Sequence, residues 1–302
     1  MSQIKDITKE LRTKLPDLVI KEQESMKAHT SFRIGGPCDL MVVPQSVEEL
    51  REIFLVLHAA AVRPLILGAC SNVLVPDDGI RGVVVSMKGL QRLERIGETG
   101  LVAACGVPMG RLANFACECG LTGLEFAQGI PGTVGGGMFM NAGAYDGELK
   151  NVAVRTKVMT FDGEIRVYTG EEQGLRYRGS NFQGMDAVIL ETEFSLQAGD
   201  PEQIRDKMQD FAQRRRSKQP LELPSAGSTF KRPTGYFAGA LIQEAGLKGF
   251  RIGGAQVSEK HAGFVVNVGD ATAQHVLDLI AHVKKTVFEK TGVELEPEVR
   301  LL

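Results

Sequence analysis

A chain of 302 residues with 43% hydrophobic content is too long for one minimal core and points to two or three domains. Charged residues make up 24%, and 35 basic against 37 acidic residues leave a formal net charge of −2, which excludes the global basic excess that drives nucleic-acid binding. No stretch approaches the roughly 18 apolar residues of a membrane span. Met1-Ser2-Gln3-Ile4-Lys5 is polar rather than a signal core, so a cytoplasmic protein is expected.

Residues 3–15 read as an amphipathic helix with Ile4, Ile7, Leu11 and Leu15 on one face. A strand at Asp39–Val43 follows, and Ser46-Val47-Glu48-Glu49 forms a capping box that opens a helix with Leu50, Ile53, Phe54 and Leu57 inward. Pro64–Leu67 is a buried strand ending in the loop Gly68-Ala69-Cys70-Ser71-Asn72, with short strands at Val73–Val75 and Gly82–Met87 beyond it. After a strand at Leu101–Cys105, Pro108 suits a helix N-terminus and Gly120 the position just past its end. A long glycine-rich loop, Phe126–Gly147, leads to a hairpin of Val152–Thr160 and Glu164–Thr169, and a strand at Ala187–Phe194 closes the unit. Residues 201–218 are helical, with Ile204, Met208 and Phe211 inward, until Pro220 and Pro224 break the pattern. A helix around Phe237–Ala245, a strand at Gly263–Val268 and a helix at Ala273–Lys290 follow. Val293–Leu301 alternates strictly, with Val293, Leu295, Pro297, Val299 and Leu301 on one face.

Cys38, Cys70, Cys105, Cys117 and Cys119 form an odd, scattered set that reads as reduced thiols, and the five histidines carry no metal-ligand spacing. The 35 glycines are in excess of the average share of about 7% and cluster at Gly68 and at Gly129–Gly137. Consecutive glycines let backbone N–H groups approach a phosphate, and a nearby helix start would add its dipole. Neither a Walker loop nor a Rossmann fingerprint is present. Two such loops, one per lobe, fit a long diphosphate ligand, and a conformationally demanding turn is the other reading of Gly129–Gly137.

Seven segments in order carry a resemblance to a known family: His29–Gly36; Leu67–Asn72; Gly129–Gly137 with Met140–Tyr145; Tyr177–Ser180; Ala226–Lys231; Ser258–Phe264; and Glu296–Arg300. At these residues the chain resembles the UDP-N-acetylenolpyruvoylglucosamine reductases (the MurB family), in their shorter subtype. The resemblance implies an α+β fold with a two-lobed FAD-binding domain of the vanillyl-alcohol-oxidase/PCMH type and a third α+β substrate-binding lobe. The divisions fall at residues 1–95, 96–200 and 201–302, with the C-terminal strand returning to the active site. It implies bound FAD, NADPH as hydride donor, a UDP-sugar enol ether as substrate, a place in peptidoglycan synthesis, and a monomer without nucleic-acid or membrane partners.

By the same resemblance Arg178 polarises the substrate carboxylate, Ser228 donates a proton and Glu298 assists. Arg33, Leu67, Gly68, Ala69, Cys70, Ser71, Asn72, Pro131, Gly132, Thr133, Gly135, Gly136, Asn141, Ala142, Gly143 and Ala144 hold the cofactor. Tyr145, Tyr177, Arg215 and Lys218 hold the substrate. From the residues alone each has a plainer reading: Ser228 a turn hydroxyl, Arg178 a surface arginine, Glu298 a solvated strand residue, Arg214-Arg215-Arg216 a solvated basic face. Lys260-His261 is assigned to structure. Two departures stand out. Cys70 replaces a family glycine, which weakens flavin binding if positive φ or close phosphate approach is needed there. Gly137 replaces a frequent alanine, where the extra room is expected to be harmless. The alternatives are a flavin-dependent oxidase of the same cofactor fold and a non-catalytic flavin or UDP-sugar sensor.

Overall fold

The structure, a computed structural model, describes residues 2–302. Helices and mainly antiparallel sheets make it an α+β protein. The chain forms two compact units. The first comprises the chain up to Gln23 with residues 39–69 and 82–213, and the second comprises residues 24–38, 70–81 and 214–302.

In the first unit the helix Ser2–Lys14 buries Ile7 and Leu11, as its periodicity predicts. The helix Val47–Ala59 starts at Ser46, whose hydroxyl accepts the Glu49 N–H at 3.1 Å. The reciprocal half of the expected box lands one residue upstream: the Glu49 carboxylate accepts the Gln45 N–H at 2.7 Å. Leu65–Leu67 pairs in parallel with Ile80–Ser86 in a four-stranded sheet of order Val19–Ser25, Pro37–Val43, Ile80–Ser86, Leu65–Leu67. A five-stranded antiparallel sheet has the order Ile165–Thr169, Ala153–Thr160, Ala187–Ser195, Gly100–Ala104, Leu93–Ile96. Val19–Ser25 and Leu93–Ile96 are absent from the expected elements. Both are edge strands with mostly polar, exposed residues, so they lack the apolar alternation that reveals an inner strand.

The expected loop Phe126–Gly147 is instead built: it contains a helix, Val134–Met140, and a small hairpin of Gly143–Ala144 with Gly147–Glu148. Three glycines in seven helical residues are a poor local signal for a helix, and tertiary packing overrides it. A Cβ on Gly135 would lie 2.7 Å from Cys105 Cβ, so the helix reaches the end of strand Gly100–Ala104 only with glycine there. At Gly137 a Cβ would meet Met109 Sδ at 2.9 Å and Leu149 Cδ1 at 3.0 Å, the ends of flexible side chains that occupy the space an alanine methyl would take.

In the second unit a four-stranded antiparallel sheet runs Ser225–Ser228, Phe264–Asn267, Ala255–Val257, Arg251–Ile252. Helices Ala238–Glu244 and Ala273–Thr291 share its core with Phe32, Ile34, Leu74 and Leu295. Asp77 accepts the N–H groups of Ala273 and Gln274 at 2.8 and 3.2 Å, placing a carboxylate on the positive end of the long helix. The expected strand Val293–Leu301 is corrected. Only Arg300–Leu301 forms a strand, parallel to Val73–Leu74, and Leu301 is 58% exposed. The segment changes partners midway, bonding first to Thr229–Lys231 and then to Asn72–Leu74, so no single ladder runs its length. None of the five cysteines forms a disulfide.

The packing of Gly135 generates a paired prediction. Gly135→Ala should destabilise the protein by about 1–3 kcal/mol through overpacking. Gly136→Ala, whose Cβ would meet only Thr133 Oγ1 at 3.7 Å, should be neutral or stabilising by up to about 1 kcal/mol from helix propensity. Denaturant unfolding of the two variants checks this.

Candidate active site

Within the first unit the glycine loop differs from an open phosphate nest. The N–H groups of Gly132, Val134, Gly135 and Gly137 bond to the carbonyls of Ile130, Val107, Cys105 and Thr133. Several of these glycines therefore serve close backbone packing. The feature that fits an anion lies beside them. Thr133 is buried, its hydroxyl has no hydrogen-bond partner among the described residues, and a Cβ on Gly68 would lie 2.5 Å from that oxygen. Bare backbone at Gly68, at the end of strand Leu65–Leu67, thus faces a buried donor, which suits close approach of a phosphate. Burial pushes the Cys105 thiol up to about 12, so this cysteine is no thiolate at neutral pH.

The glycine helix ends at Asn141, whose φ of 44° is left-handed. Asn141 is 1% exposed and its side chain makes three hydrogen bonds. Oδ1 accepts the Lys150 N–H at 2.9 Å, while Nδ2 donates to Glu148 Oε2 at 2.8 Å and to the Arg176 carbonyl at 3.2 Å. All three bonds go to groups of the chain itself. Beyond it, Tyr145 and Asp146 form the two-residue turn of the small hairpin, with φ of 52° and 64°. A type I′ turn demands such angles, and a bulky tyrosine there is a strained choice. The Tyr145 ring stacks on Phe211 at 4.5 Å, and its hydroxyl bonds to the Phe211 carbonyl at 3.3 Å.

Tyr177 and Arg178 occupy the tip of another two-residue turn, closed by reciprocal backbone bonds of 3.0 Å between Arg176 and Gly179. Arg178 has φ 53°, and its guanidinium carbon lies 5.3 Å from the centre of the Tyr177 ring. Tyr177 is 57% exposed. Ser180 is buried and donates its hydroxyl hydrogen to the Phe139 carbonyl at 2.9 Å, anchoring the turn to the glycine helix.

Within the second unit the structure draws Ser228, Glu298 and the loop Cys70–Asn72 together through backbone bonds. Ser228 ends strand Ser225–Ser228, after Gly227 with φ 74°. The next residue, Thr229, is buried. Its hydroxyl accepts the Val265 N–H at 2.9 Å, and its carbonyl accepts the Glu298 N–H at 2.8 Å. Asn72 Nδ2 donates to the Glu298 carbonyl at 3.2 Å, and the Arg300 N–H bonds to the Asn72 carbonyl at 3.1 Å. A bridge between Phe230 and Pro297 and an ion pair between Lys231 and Glu296 hold the segment in register.

Cys70 is 7% exposed with φ 53°, so its position has the left-handed backbone that favours glycine. Its carbonyl accepts the Ser31 N–H at 3.3 Å, tying it to the turn that carries Arg33, an exposed residue with φ 55°. The basic run does not form one solvated face: Arg214 and Arg216 are exposed and Arg215 is buried. Lys218 is exposed and lies within electrostatic reach of His261. Burial lowers the pKa of His261, Lys248 and Lys218 add like-charge repulsion, and Nδ1 accepts the Gly263 N–H at 3.1 Å. Lys260 donates to the Arg216 carbonyl at 2.7 Å and pairs with Glu222, so the Lys260-His261 pair is held in structure.

Two features of the first unit lay beyond sequence reasoning. The bonds from Asn141 and Ser180 to the carbonyls of Arg176 and Phe139 involve backbone atoms, which leave no residue pattern. The one usable signal was an asparagine at a helix C-terminus, a common left-handed cap. A separate open groove of about 660 Å³, lined by Leu57, Arg63, Phe161, Tyr168 and Met185 among others, contains none of the candidate residues.

The FAD binding domain family model matches residues 38–169, and the model of the UDP-N-acetylenolpyruvoylglucosamine reductase C-terminal domain matches residues 219–302. The UDP-N-acetylenolpyruvoylglucosamine reductase of Syntrophomonas wolfei is 49% identical over 289 residues, covering 95% of this chain and 96% of the relative. That of Caldanaerobacter subterraneus is 46% identical over 302 residues, covering 100% and 97%. The crystal structure of the Thermus caldophilus reductase superposes with a TM-score of 0.79 at 32% identity, covering 94% of this chain and 98% of that one. The chain belongs to the UDP-N-acetylenolpyruvoylglucosamine reductase family.

Proposed function

We propose that this chain reduces UDP-N-acetylglucosamine enolpyruvate to UDP-N-acetylmuramate, with NADPH as reductant and FAD as bound cofactor, in cytoplasmic peptidoglycan synthesis and as a monomer. The observation that carries this reading beyond family membership is the bond from the Glu298 N–H to the carbonyl of Thr229, next to Ser228, with the Asn72 side chain bonded to the Glu298 carbonyl. This backbone arrangement supports a proton-moving role for the half-buried Ser228 hydroxyl and the Glu298 carboxylate. The three-lobe division at residues 95 and 200 is part of the same proposal.

Gly68, Ala69, Thr133 and Gly136, with the turn at Cys70–Asn72, would hold the cofactor, the Thr133 hydroxyl donating to a phosphate oxygen. FAD supplies the relay of hydride from NADPH to the terminal carbon of the enol ether. Hydride arrival there leaves a carbanion on the adjacent substrate carbon, conjugated with its carboxylate. Arg178 meets that carboxylate with a rigid, planar guanidinium fork. Ser228 delivers its hydroxyl proton to the carbanionic carbon, completing the lactyl ether. A serine hydroxyl is a poor acid in water, so position against the reacting carbon must supply the advantage. Glu298 orients the groups around Ser228 and returns a proton to it. Tyr145, Tyr177, Arg215 and Lys218 hold the sugar nucleotide.

Substitutions at two positions test the assignment. Ser228→Ala in the FAD-loaded protein should leave flavin reduction by NADPH within about twofold and slow reoxidation by the enol ether by about 10²–10⁴-fold, the usual contribution of general acid catalysis. Stopped-flow measurement of each half-reaction separates the two, and equal losses in both would remove Ser228 from its role. At Cys70, glycine should be tolerated, because relief of the left-handed backbone, about 1–2 kcal/mol, offsets the lost side chain. Cys70→Val should destabilise the protein and weaken FAD uptake, read by unfolding and by FAD titration of the apoprotein. Equal stability of the valine and glycine variants would contradict the backbone argument.

A further inference from the structure

Arg178 sits on a two-residue turn in a left-handed conformation. Such a turn is not self-supporting for an arginine, and the structure braces it from the glycine helix at three points. Asn141 Nδ2 reaches the carbonyl of Arg176 at 3.2 Å, at the base of the turn. The Ser180 hydroxyl reaches the Phe139 carbonyl at 2.9 Å, on the far side. Gln183 Nε2 bridges the Phe139 carbonyl at 3.0 Å and the carbonyl of Arg178 itself at 3.4 Å. Asn141 is in turn locked by Lys150 and Glu148, at 1% exposure. Its amide thus has one orientation compatible with its neighbours: oxygen to the Lys150 N–H, nitrogen to the two acceptors.

We infer that Asn141 is a positioning residue for Arg178, acting through the Arg176 carbonyl, with Gln183 completing the brace at the carbonyl of Arg178. The inference rests on the carboxylate-binding role proposed for Arg178. It assigns Asn141 to substrate-carboxylate recognition through the arginine turn. A guanidinium fork discriminates by geometry as well as charge, so freeing the turn lowers its contribution without removing the charge.

The test uses FAD-loaded protein and two ligands followed by flavin absorbance: UDP-N-acetylmuramate, which carries the carboxylate, and UDP-N-acetylglucosamine, which lacks it. Asn141→Gly keeps the left-handed helix end and removes only the side chain. It should weaken UDP-N-acetylmuramate about tenfold, the loss expected for one well-placed charged hydrogen bond, and leave UDP-N-acetylglucosamine within about twofold. Gln183→Leu should shift the same ligand in the same direction, and carries the test if the glycine variant does not take up FAD. Adding Arg178→Ala to either variant should produce no more loss than Arg178→Ala alone, since coupled residues are non-additive. Equal weakening of both ligands, or additive losses with Arg178→Ala, would overturn the positioning role. If Arg178→Ala alone affects both ligands equally, the carboxylate role of Arg178 is what fails, and the inference falls with it.

Discussion

The close approach of the helix Val134–Met140 to the end of strand Gly100–Ala104 is the constraint from which the first unit's candidate site follows. Only a residue without a Cβ fits at position 135 against Cys105, and Met109 and Leu149 fill the space beside Gly137. The bonds from Val134 and Gly135 to the carbonyls of Val107 and Cys105 then fix the helix start. With that start fixed, the Thr133 hydroxyl faces Gly68 and the helix ends at Asn141, which reaches the base of the Arg178 turn. One packing requirement therefore bears on both the contact of Thr133 with Gly68 and the brace at the base of the Arg178 turn.

Backbone strain is concentrated in the same places. Among the described residues nine non-glycine residues have positive φ, and five of them, Arg33, Cys70, Asn141, Tyr145 and Arg178, are candidate site residues. Each left-handed non-glycine residue is unfavourable by about 1–2 kcal/mol, so such conformations persist only where surrounding contacts over-determine them. Those contacts are visible: the Phe211 ring under Tyr145, the Lys150 and Glu148 bonds to Asn141, and the Ser31 bond to Cys70. Pointing a side chain out of a tight turn requires this geometry, which binds strain to site construction.

Most helices and the longer inner strands were legible in the sequence because they bury one face with a clear period, as in Val47–Ala59 and Ala187–Ser195, whereas the three-residue inner strand Ala255–Val257 was too short to show one. The edge strands Val19–Ser25 and Leu93–Ile96 were not, since a mostly solvated strand has no such period. The helix Val134–Met140 was hidden by its own glycines, whose reason lies in Cys105 and Met109, distant in sequence. Val293–Leu301 misled in the opposite way: a clean alternation met two different partners and never formed one ladder. At the candidate site the motifs identified which residues to examine. The pairing of Glu298 with Thr229, and the burial of Arg215 between two exposed arginines, depend on tertiary contacts that spacing does not encode.

The most direct measurement follows the flavin through both half-reactions of the wild-type protein. The FAD-loaded enzyme is bleached anaerobically with NADPH, excess reductant is removed, and UDP-N-acetylglucosamine enolpyruvate is added. The account predicts rapid return of the oxidised flavin spectrum with formation of one UDP-N-acetylmuramate per flavin. A flavin that stays reduced until oxygen is admitted would contradict it and identify an oxidase on the same cofactor fold.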